Sequence, residues 1–162
     1  MKKLKVDIDD IALAMESSNE FDESILRLDT ETGKLVNVLR SVMDDVEEEN
    51  EEAINDYSEW MKDMAEEAEA VLNDDKERFV EIPKISSDET YEFMERFIWD
   101  IKDGRVRNKL LRAINGKGAF RRFKDTISEW PDLEKQWYEY EDDSIKKEIL
   151  DWLESIGIEP EG

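Results

Sequence analysis

Eight basic side chains and no acidic one lie between Gly104 and Lys124, in a chain of 162 residues with a formal net charge of −22. Gly116 and Gly118 flank Lys117 in the middle of this stretch. Glycine readily adopts the left-handed backbone that turns successive amide N–H groups outward, and the helix that follows adds the positive end of its dipole. The arrangement predicts a site for an anion, either a phosphate or a carboxylate.

The basic residues occupy both sides of the glycines. A spacing of i, i+4 and i+7 places Arg105, Lys109 and Arg112 on one face of a helix, where they form a basic ridge. The candidate residues for binding an anion or a partner are Arg105, Lys109, Arg112, Gly116, Lys117, Gly118, Arg121, Arg122 and Lys124. The stretch has neither the glycine spacing of a Walker loop nor the preceding strand of a dinucleotide fingerprint. The prediction therefore depends on charge and on glycine conformation.

A structural alternative accounts for the same residues. The glycines would simply join two helices, and Arg121 and Arg122 would pair with Asp125 three or four residues on. The ridge would then lie against acidic residues of its own chain, as an internal clasp. Both interpretations stay open at this point.

Two phenylalanines lie among the cations. Exposed aromatic rings between arginines are typical of proteins that bind single-stranded nucleic acid by base stacking. Phe120 and Phe123 are therefore candidates for such a role. Together with Ile127 and Trp130, however, they recur at helical spacing as one apolar face. We therefore expect them in the core, with Tyr138 and Tyr140 as packing residues near Trp137.

The absence of histidine and cysteine excludes most familiar catalytic designs, including Ser-His and Cys-His nucleophiles, disulfides and the usual zinc sites. The 45 Asp and Glu residues leave acid/base catalysis and hard-cation binding open, but no pair has a distinctive spacing. Asp29 and Glu31 are spaced as in a calcium loop, yet Gly33 stands where a third oxygen ligand belongs. The sequence thus names no catalytic residue, no metal ligand and no cofactor.

Length and charge narrow the class of protein. A chain of 162 residues with 39% apolar content fits one domain, 1–162. It contains no apolar run near the ~20 residues that span a bilayer, and Met1–Leu4 leads into acidic residues rather than a signal sequence, so we expect a cytoplasmic protein. The negative charge disfavours duplex DNA and anionic membranes as partners and favours a basic protein.

The elements that must position the basic residues indicate an α+β fold that is mostly helical. We predict a small antiparallel sheet, made of a hairpin around Gly33 and one short strand at 78–83, packed against about five or six helices. Ser86 with Glu89 forms a capping box that opens one of these helices, and Gly104 is expected to end it. The last helix begins at Pro131 and ends at Gly157.

The segment from Asp44 to Glu69 carries thirteen acidic side chains and one basic one, Lys62. Apolar residues within it share one helical face: Ile54, Tyr57, Met61, Met64 and Ala68. We therefore predict an acidic amphipathic helix at about 43–73. Such a rod of carboxylates would either imitate a phosphate backbone towards a basic partner or simply form a solvated outer face.

Several local patterns resemble a known family. They are the hairpin LDTETGKLV, the strand end EIP, the helix SSDETYEFMERFI, the block AINGKGAFRRFKD and the ending LDWLESIGIEP. Together these resemble the bacterial Uncharacterised Protein Family 0158, and the block around GKGAFRRFKD is the most specific of them. The resemblance implies a cytosolic bacterial protein of one domain, and it carries no biochemical function and no catalytic residues. The acidic middle and WDIKDGRVRN depart from the pattern.

Three functional hypotheses follow. The first is a non-enzymatic interaction module that uses the basic glycine-containing junction at 104–124 to hold a protein partner or a phosphate-bearing ligand. The second is an enzyme that acts on a phosphorylated small molecule bound at the same junction. The third is an acidic nucleic-acid mimic that binds a basic protein. Single-stranded RNA is a further partner to test, and a homo-oligomer clasped by opposite charges is left open.

Overall fold

A computed structural model describes residues 1–16 and 24–161 and shows eight helices and five strands in that part of the chain. In chain order they are β1 (Lys2–Leu4), α1 (Ile8–Glu16), β2 (Ser24–Asp29), β3 (Leu35–Leu39), α2 (Arg40–Glu47), α3 (Glu51–Asn55), α4 (Glu59–Leu72), β4 (Phe79–Glu81), α5 (Ser87–Trp99), α6 (Gly104–Ala113), α7 (Ala119–Ile127), α8 (Pro131–Ser155) and β5 (Ile158–Pro160). The predicted α+β class with mostly helical content is confirmed.

The antiparallel sheet has the order β3-β2-β4. The hairpin pairs Leu28 with Leu35, and β4 pairs Val80 with Leu28 on the other side of β2. Gly33 in the turn has a φ of 80°, and a Cβ there would lie 2.4 Å from the carbonyl oxygen of Lys5. The predicted hairpin and the pairing of the third strand with it are confirmed.

A second pairing was not predicted. β1 and β5 form a two-stranded parallel pair in which Lys2 lies opposite Ile158. Each strand has only three residues, too few to show an alternating pattern. The sequence predicted Gly157 only as the end of α8, and Gly157 lies two residues after Ser155, the last residue of that helix, with a φ of 78°.

The predicted single acidic helix at about 43–73 is wrong, because the segment forms three helices, α2, α3 and α4. Glu49 adopts a left-handed φ of 56° after α2, and the Asn50 side chain caps α3 by accepting a hydrogen bond from the N–H of Ala53. Ser58, in extended backbone, precedes α4.

Burial explains why this segment folds back on itself. A continuous helix would be about 46 Å long and could bury its narrow apolar face only against a partner of the same length. Instead, one buried cluster unites β3, α2 and α4, and its members are Val38, Val42, Met43, Ala65 and Ala68. The residues that the sequence assigned to one face pack against it: Ile54, Tyr57, Met61 and Met64 are partly buried there, and Ala68 is inside it.

The described chain divides into two compact units, one made of residues 1–84 and 149–162 and the other of residues 85–148. The prediction of a single domain stays a prediction. The basic residues 104–124 all belong to the second unit, which contains α5, α6, α7 and the first part of α8.

The second unit has an aromatic core. The Trp137 ring lies edge-on to Phe97 at 5.4 Å and to Phe123 at 5.0 Å, and Trp137 and Phe123 are both buried. Gly104 does not end α5, as predicted, but is the first residue of α6, because Asp103 accepts hydrogen bonds from the N–H groups of Arg105 and Val106 and so caps that helix. This core and this cap hold α6 and α7, which carry the candidate residues.

A candidate anion-binding surface

The predicted basic ridge is present on α6. Arg105, Lys109 and Arg112 are all exposed, while Leu110 and Ile114 on the opposite side are buried. The amphipathic spacing of this helix therefore gave both faces correctly. The side chain of Asp103 caps this helix and so fixes where it starts.

The junction between α6 and α7 has the backbone that the glycines predicted. Gly116 has a φ of 84° and Gly118 a φ of 76°, both left-handed. A Cβ at Gly116 would meet no atom within 4 Å, so the junction is open on that side. Within the described part of the chain, the N–H groups of Ala119, Phe120 and Arg121 donate to no acceptor, as is usual for the first turn of a helix.

Arg122 has a different role from its basic neighbours. Its guanidinium group donates to the carbonyl of Ala113 at 2.9 Å, to that of Asn115 at 2.7 Å and to that of Lys117. These bonds occupy three of its five N–H groups and satisfy carbonyl oxygens at the end of α6 and in the junction. Arg122 therefore holds the junction together, and the pair that it was predicted to form with Asp125 is not seen in the described residues.

Sequence reasoning missed this role, although a signal existed. A basic residue close to the C-terminus of a helix often donates to its last carbonyls. Here the arginine belongs to the next helix, nine residues beyond Ala113, and returns because the two glycines reverse the chain. Only that reversal places the guanidinium group over the end of α6.

Lys109 is also engaged. Its ammonium nitrogen lies 2.8 and 2.9 Å from the two carboxylate oxygens of Glu129 and 5.6 Å from the centre of the Trp130 ring. The contact joins α6 to the loop after α7, twenty residues away in sequence. Nothing in the local sequence pattern indicates it.

Five of the candidate cations remain exposed without an ion pair in the part of the chain that the structure describes. They are Arg105, Arg112, Lys117, Arg121 and Lys124, which we call the cationic face. The predicted pairing of Arg121 with Asp125 is likewise not seen among the described residues. Arg121 and Lys124 are three residues apart on α7 and so project from the same side of that helix.

The aromatic residues divide between the core and the surface. Phe123 and Ile127 are buried and Trp130 is partly buried, as the apolar stripe predicted. Phe120 is 39% exposed, so its assignment to the core is wrong. The reason is that the buried face of α7 is centred on Ala119, Phe123 and Ile127, which leaves Phe120 at its margin, next to Lys124 at i+4.

A bidentate ion pair outside this surface joins two strands of the sheet. Burial alone would raise the pKa of Asp29, but hydrogen bonds from Arg78, from the N–H of Glu31 and from Thr32 lower it to about 2. Arg78 donates to both carboxylate oxygens at 2.9 Å and also pairs with Glu31. The residues that partly matched a calcium loop thus hold a guanidinium group.

Tyr57, which belongs to the first compact unit, also has a shifted pKa. Burial and the hydrogen bond that its hydroxyl donates to Asp45 raise the pKa of Tyr57 to about 12. In residues 1–16 and 24–161, no group of three or more acidic side chains is placed to hold a metal ion. No helix in the same residues has the length and apolarity needed to cross a membrane.

Comparison with known proteins gives the family. The model of the uncharacterised protein family UPF0158 matches residues 56–161, which is well over half of the chain. The chain belongs to the UPF0158 family. The match includes the glycine junction and the whole cationic face, whereas the hairpin that also carried the resemblance precedes it.

A curated member of the UPF0158 family is similar to this chain. It is UPF0158 protein PA5073 of Pseudomonas aeruginosa, strain PAO1, which is 29% identical over 84 residues. The aligned part covers 52% of this chain and 55% of that protein, so the chain spans about half the length of this relative. No solved structure matches the chain. Family membership therefore links the chain to a bacterial relative and does not indicate an activity.

Proposed function

We propose that this UPF0158 protein is a non-enzymatic binding module whose cationic face holds an anionic segment of a partner protein. The observation that carries the proposal is the set of five exposed cations without an ion pair in the described residues. Carboxylates outnumber cations 45 to 23 in the chain, so internal partners are plentiful. Exposed cations without an internal ion pair are free to bind an anion from outside.

The shape of the face favours an extended partner over a small ligand. Gly116 opens to solvent, because a Cβ there would meet no atom within 4 Å. A substrate-binding enzyme would enclose most of its substrate in a pocket beside Gly118. An open surface with an exposed Phe120 suits a segment that places acidic side chains on the cations and an apolar one on the ring.

Single-stranded RNA is the second candidate, and the exposure of Phe120 is the observation that favours it. A base can stack on such a ring while Lys117, Arg121 and Lys124 contact phosphates. The net charge of −22 opposes this partner, because a long polyanion is repelled before it reaches the face.

A matched pair of variants tests the proposal. Arg121→Glu/Lys124→Glu reverses two charges of the cationic face, and Lys135→Glu/Lys147→Glu reverses two exposed charges of α8, so the two variants have equal net charge. The wild type and both variants are purified from cells of the source at low salt and examined by native mass spectrometry. We expect the same bound protein on the wild type and on the α8 variant and its loss from the α7 variant.

Other outcomes are equally informative. A bound RNA chain that the α7 variant loses would establish the RNA candidate and contradict the protein partner. Equal retention of a partner by all three proteins would show that the cationic face does not bind it, and would overturn the proposal.

A further inference from the structure

A second surface of the unit 85–148 forms a groove along the first part of α8. Three adjacent clefts, with volumes of about 490, 530 and 400 Å³, share lining residues. Asp100 and Tyr140 line the first and second, and Ile101, Leu133 and Gln136 line the second and third. The three clefts are therefore one continuous depression between α8 and the connection from α5 to α6. We call it the α8 groove.

The floor of the α8 groove is apolar and aromatic. Its side chains are Trp99, Ile101, Val106, Trp130, Leu133 and Tyr140. Trp99, the last residue of α5, is 61% exposed, although a tryptophan side chain gains much by burial. The Tyr140 ring is held in place by Phe97, whose ring centre is 5.6 Å away. Exposed aromatic side chains of this kind are enriched at protein interfaces.

The rim of the α8 groove is acidic. Its lining contains eight carboxylates and two cations, Arg96 and Lys102. Glu92 lies 3.9 Å from Arg96, and Glu129 is bound by Lys109. Glu139 and Asp143, one turn apart on α8, are exposed and have no ion pair in the described residues. The groove thus presents an excess of negative charge beside an apolar floor.

We propose that the α8 groove binds a basic amphipathic segment of a partner protein. Apolar side chains of the segment lie on the floor, and its lysines and arginines reach the rim carboxylates, as in other helix-in-groove complexes. A cation over the exposed Trp99 ring adds a cation–π contact. An anionic ligand is repelled by the rim, and the net charge of −22 attracts a basic partner at long range.

A second copy of this chain fits less well than a basic partner. Two chains of −22 repel one another as their surfaces approach within about 8 Å, the distance beyond which physiological salt screens charge. This inference concerns a different surface from the cationic face and does not rest on the function proposed for that face.

A defined peptide tests the groove. The probe is a helical peptide of about 18 residues with leucines on one face and lysines on the other, titrated by calorimetry. We expect Glu139→Lys/Asp143→Lys to weaken binding at least about tenfold, and Glu148→Lys/Asp151→Lys, with the same charge change on exposed α8 residues, to weaken it less than about twofold. Trp99→Ala is expected to weaken binding as well, since the ring forms part of the floor.

A second peptide and a second measurement complete the test. A second peptide keeps the same lysines and has serine in place of each leucine. It should bind far more weakly, because it has no apolar side chains to bury on the floor of the groove. Equal weakening by both charge reversals, or equal binding of the two peptides, would mean nonspecific attraction and would overturn the proposal. Sedimentation of the protein without peptide tests whether a second copy of the chain occupies the groove. If the protein self-associates, Glu139→Lys/Asp143→Lys abolishes that association and no peptide binds, the groove would be assigned to a second copy instead.

Discussion

Adjacent arginines on α7 have opposite roles. Arg122 donates to three carbonyl oxygens of the junction, while Arg121 projects into solvent without an ion pair in the described residues. One residue step rotates a side chain by about 100° around a helix, which is enough to separate a structural cation from one that is free to bind. Gly118 takes part in this arrangement, because a Cβ there would lie only 3.0 Å from Arg122 Nη1.

The two arginines should therefore respond differently to the same substitution. Arg122→Ala removes charged donors from the carbonyls of Ala113, Asn115 and Lys117, and we expect the free energy of unfolding to fall by about 1–2 kcal/mol. Arg121→Ala removes an exposed side chain and should change it by less than about 0.5 kcal/mol. Urea denaturation of both variants measures the difference. Equal effects would show that the contacts of Arg122 contribute nothing to stability.

At the scale of elements, the acidic segment shows what apolar periodicity predicts correctly and what it does not. The apolar spacing correctly gave the side chains that pack inward, such as Tyr57 and Met61. The spacing did not show where one helix ends and the next begins. Its apolar residues keep the same helical period across the turns, so the period does not reveal where the chain reverses. The available signals were Asn50 and Ser58, residue types that favour helix N-caps, each followed by a glutamate. The single helix predicted at about 43–73 is consequently divided into α2, α3 and α4.

The sheet depends on an ion pair that joins two of its strands. Asp29 ends β2, and Arg78 immediately precedes β4, so the bidentate pair fastens the edge strand to the centre. The carboxylate is buried and has a pKa of about 2, against 3.8 for an unperturbed aspartate. Since the folded pKa is the lower one, the stabilisation is fully present above about pH 4 and is lost as the pH falls towards 2.

The pH dependence can be isolated with one substitution. We expect Asp29→Asn to lower the free energy of unfolding at pH 5 by about 2 kcal/mol, and the gap from the wild type to close between pH 4 and pH 2. Urea denaturation at several pH values measures the gap. Glu31→Gln is the control, because its carboxylate is 57% exposed and should show little of this dependence. A gap that stays constant down to pH 2 would contradict the assignment.

For the whole molecule, the imbalance of charge is the dominant electrostatic fact. With a net charge of −22, self-repulsion opposes the compact state, and salt screens it. If the cationic face and the acidic segment formed an internal clasp, salt would lower the stability of the folded chain, because salt weakens an attraction. The clasp stays a prediction. The change of stability with salt concentration distinguishes net repulsion from a clasp.

We expect the melting temperature to rise by roughly 2–4 °C between about 20 and about 300 mM sodium chloride, which corresponds to about 1 kcal/mol for a chain of this size. Differential scanning calorimetry measures the shift. Potassium chloride should give the same result, since screening does not depend on the identity of the cation. A fall in melting temperature would mean that attractive pairs outweigh the repulsion and would favour the clasp.

The sequence by itself determined the features that depend on neighbours along the chain. Helical spacing gave the ridge of Arg105, Lys109 and Arg112, β-rich runs gave the hairpin, and the glycines gave the left-handed junction. Each follows from local sterics or from the period of one helix or strand. The family followed from longer strings of residues.

Only the tertiary structure decided which of these groups are free. Lys109 reaches Glu129, Arg122 returns to the end of α6, and the acidic segment doubles back to share one buried cluster. The α8 groove likewise arises where α8 runs beside the connection between α5 and α6. These contacts join residues that are far apart in sequence, and burial and hydrogen bonding between separate elements, rather than any local period, select them.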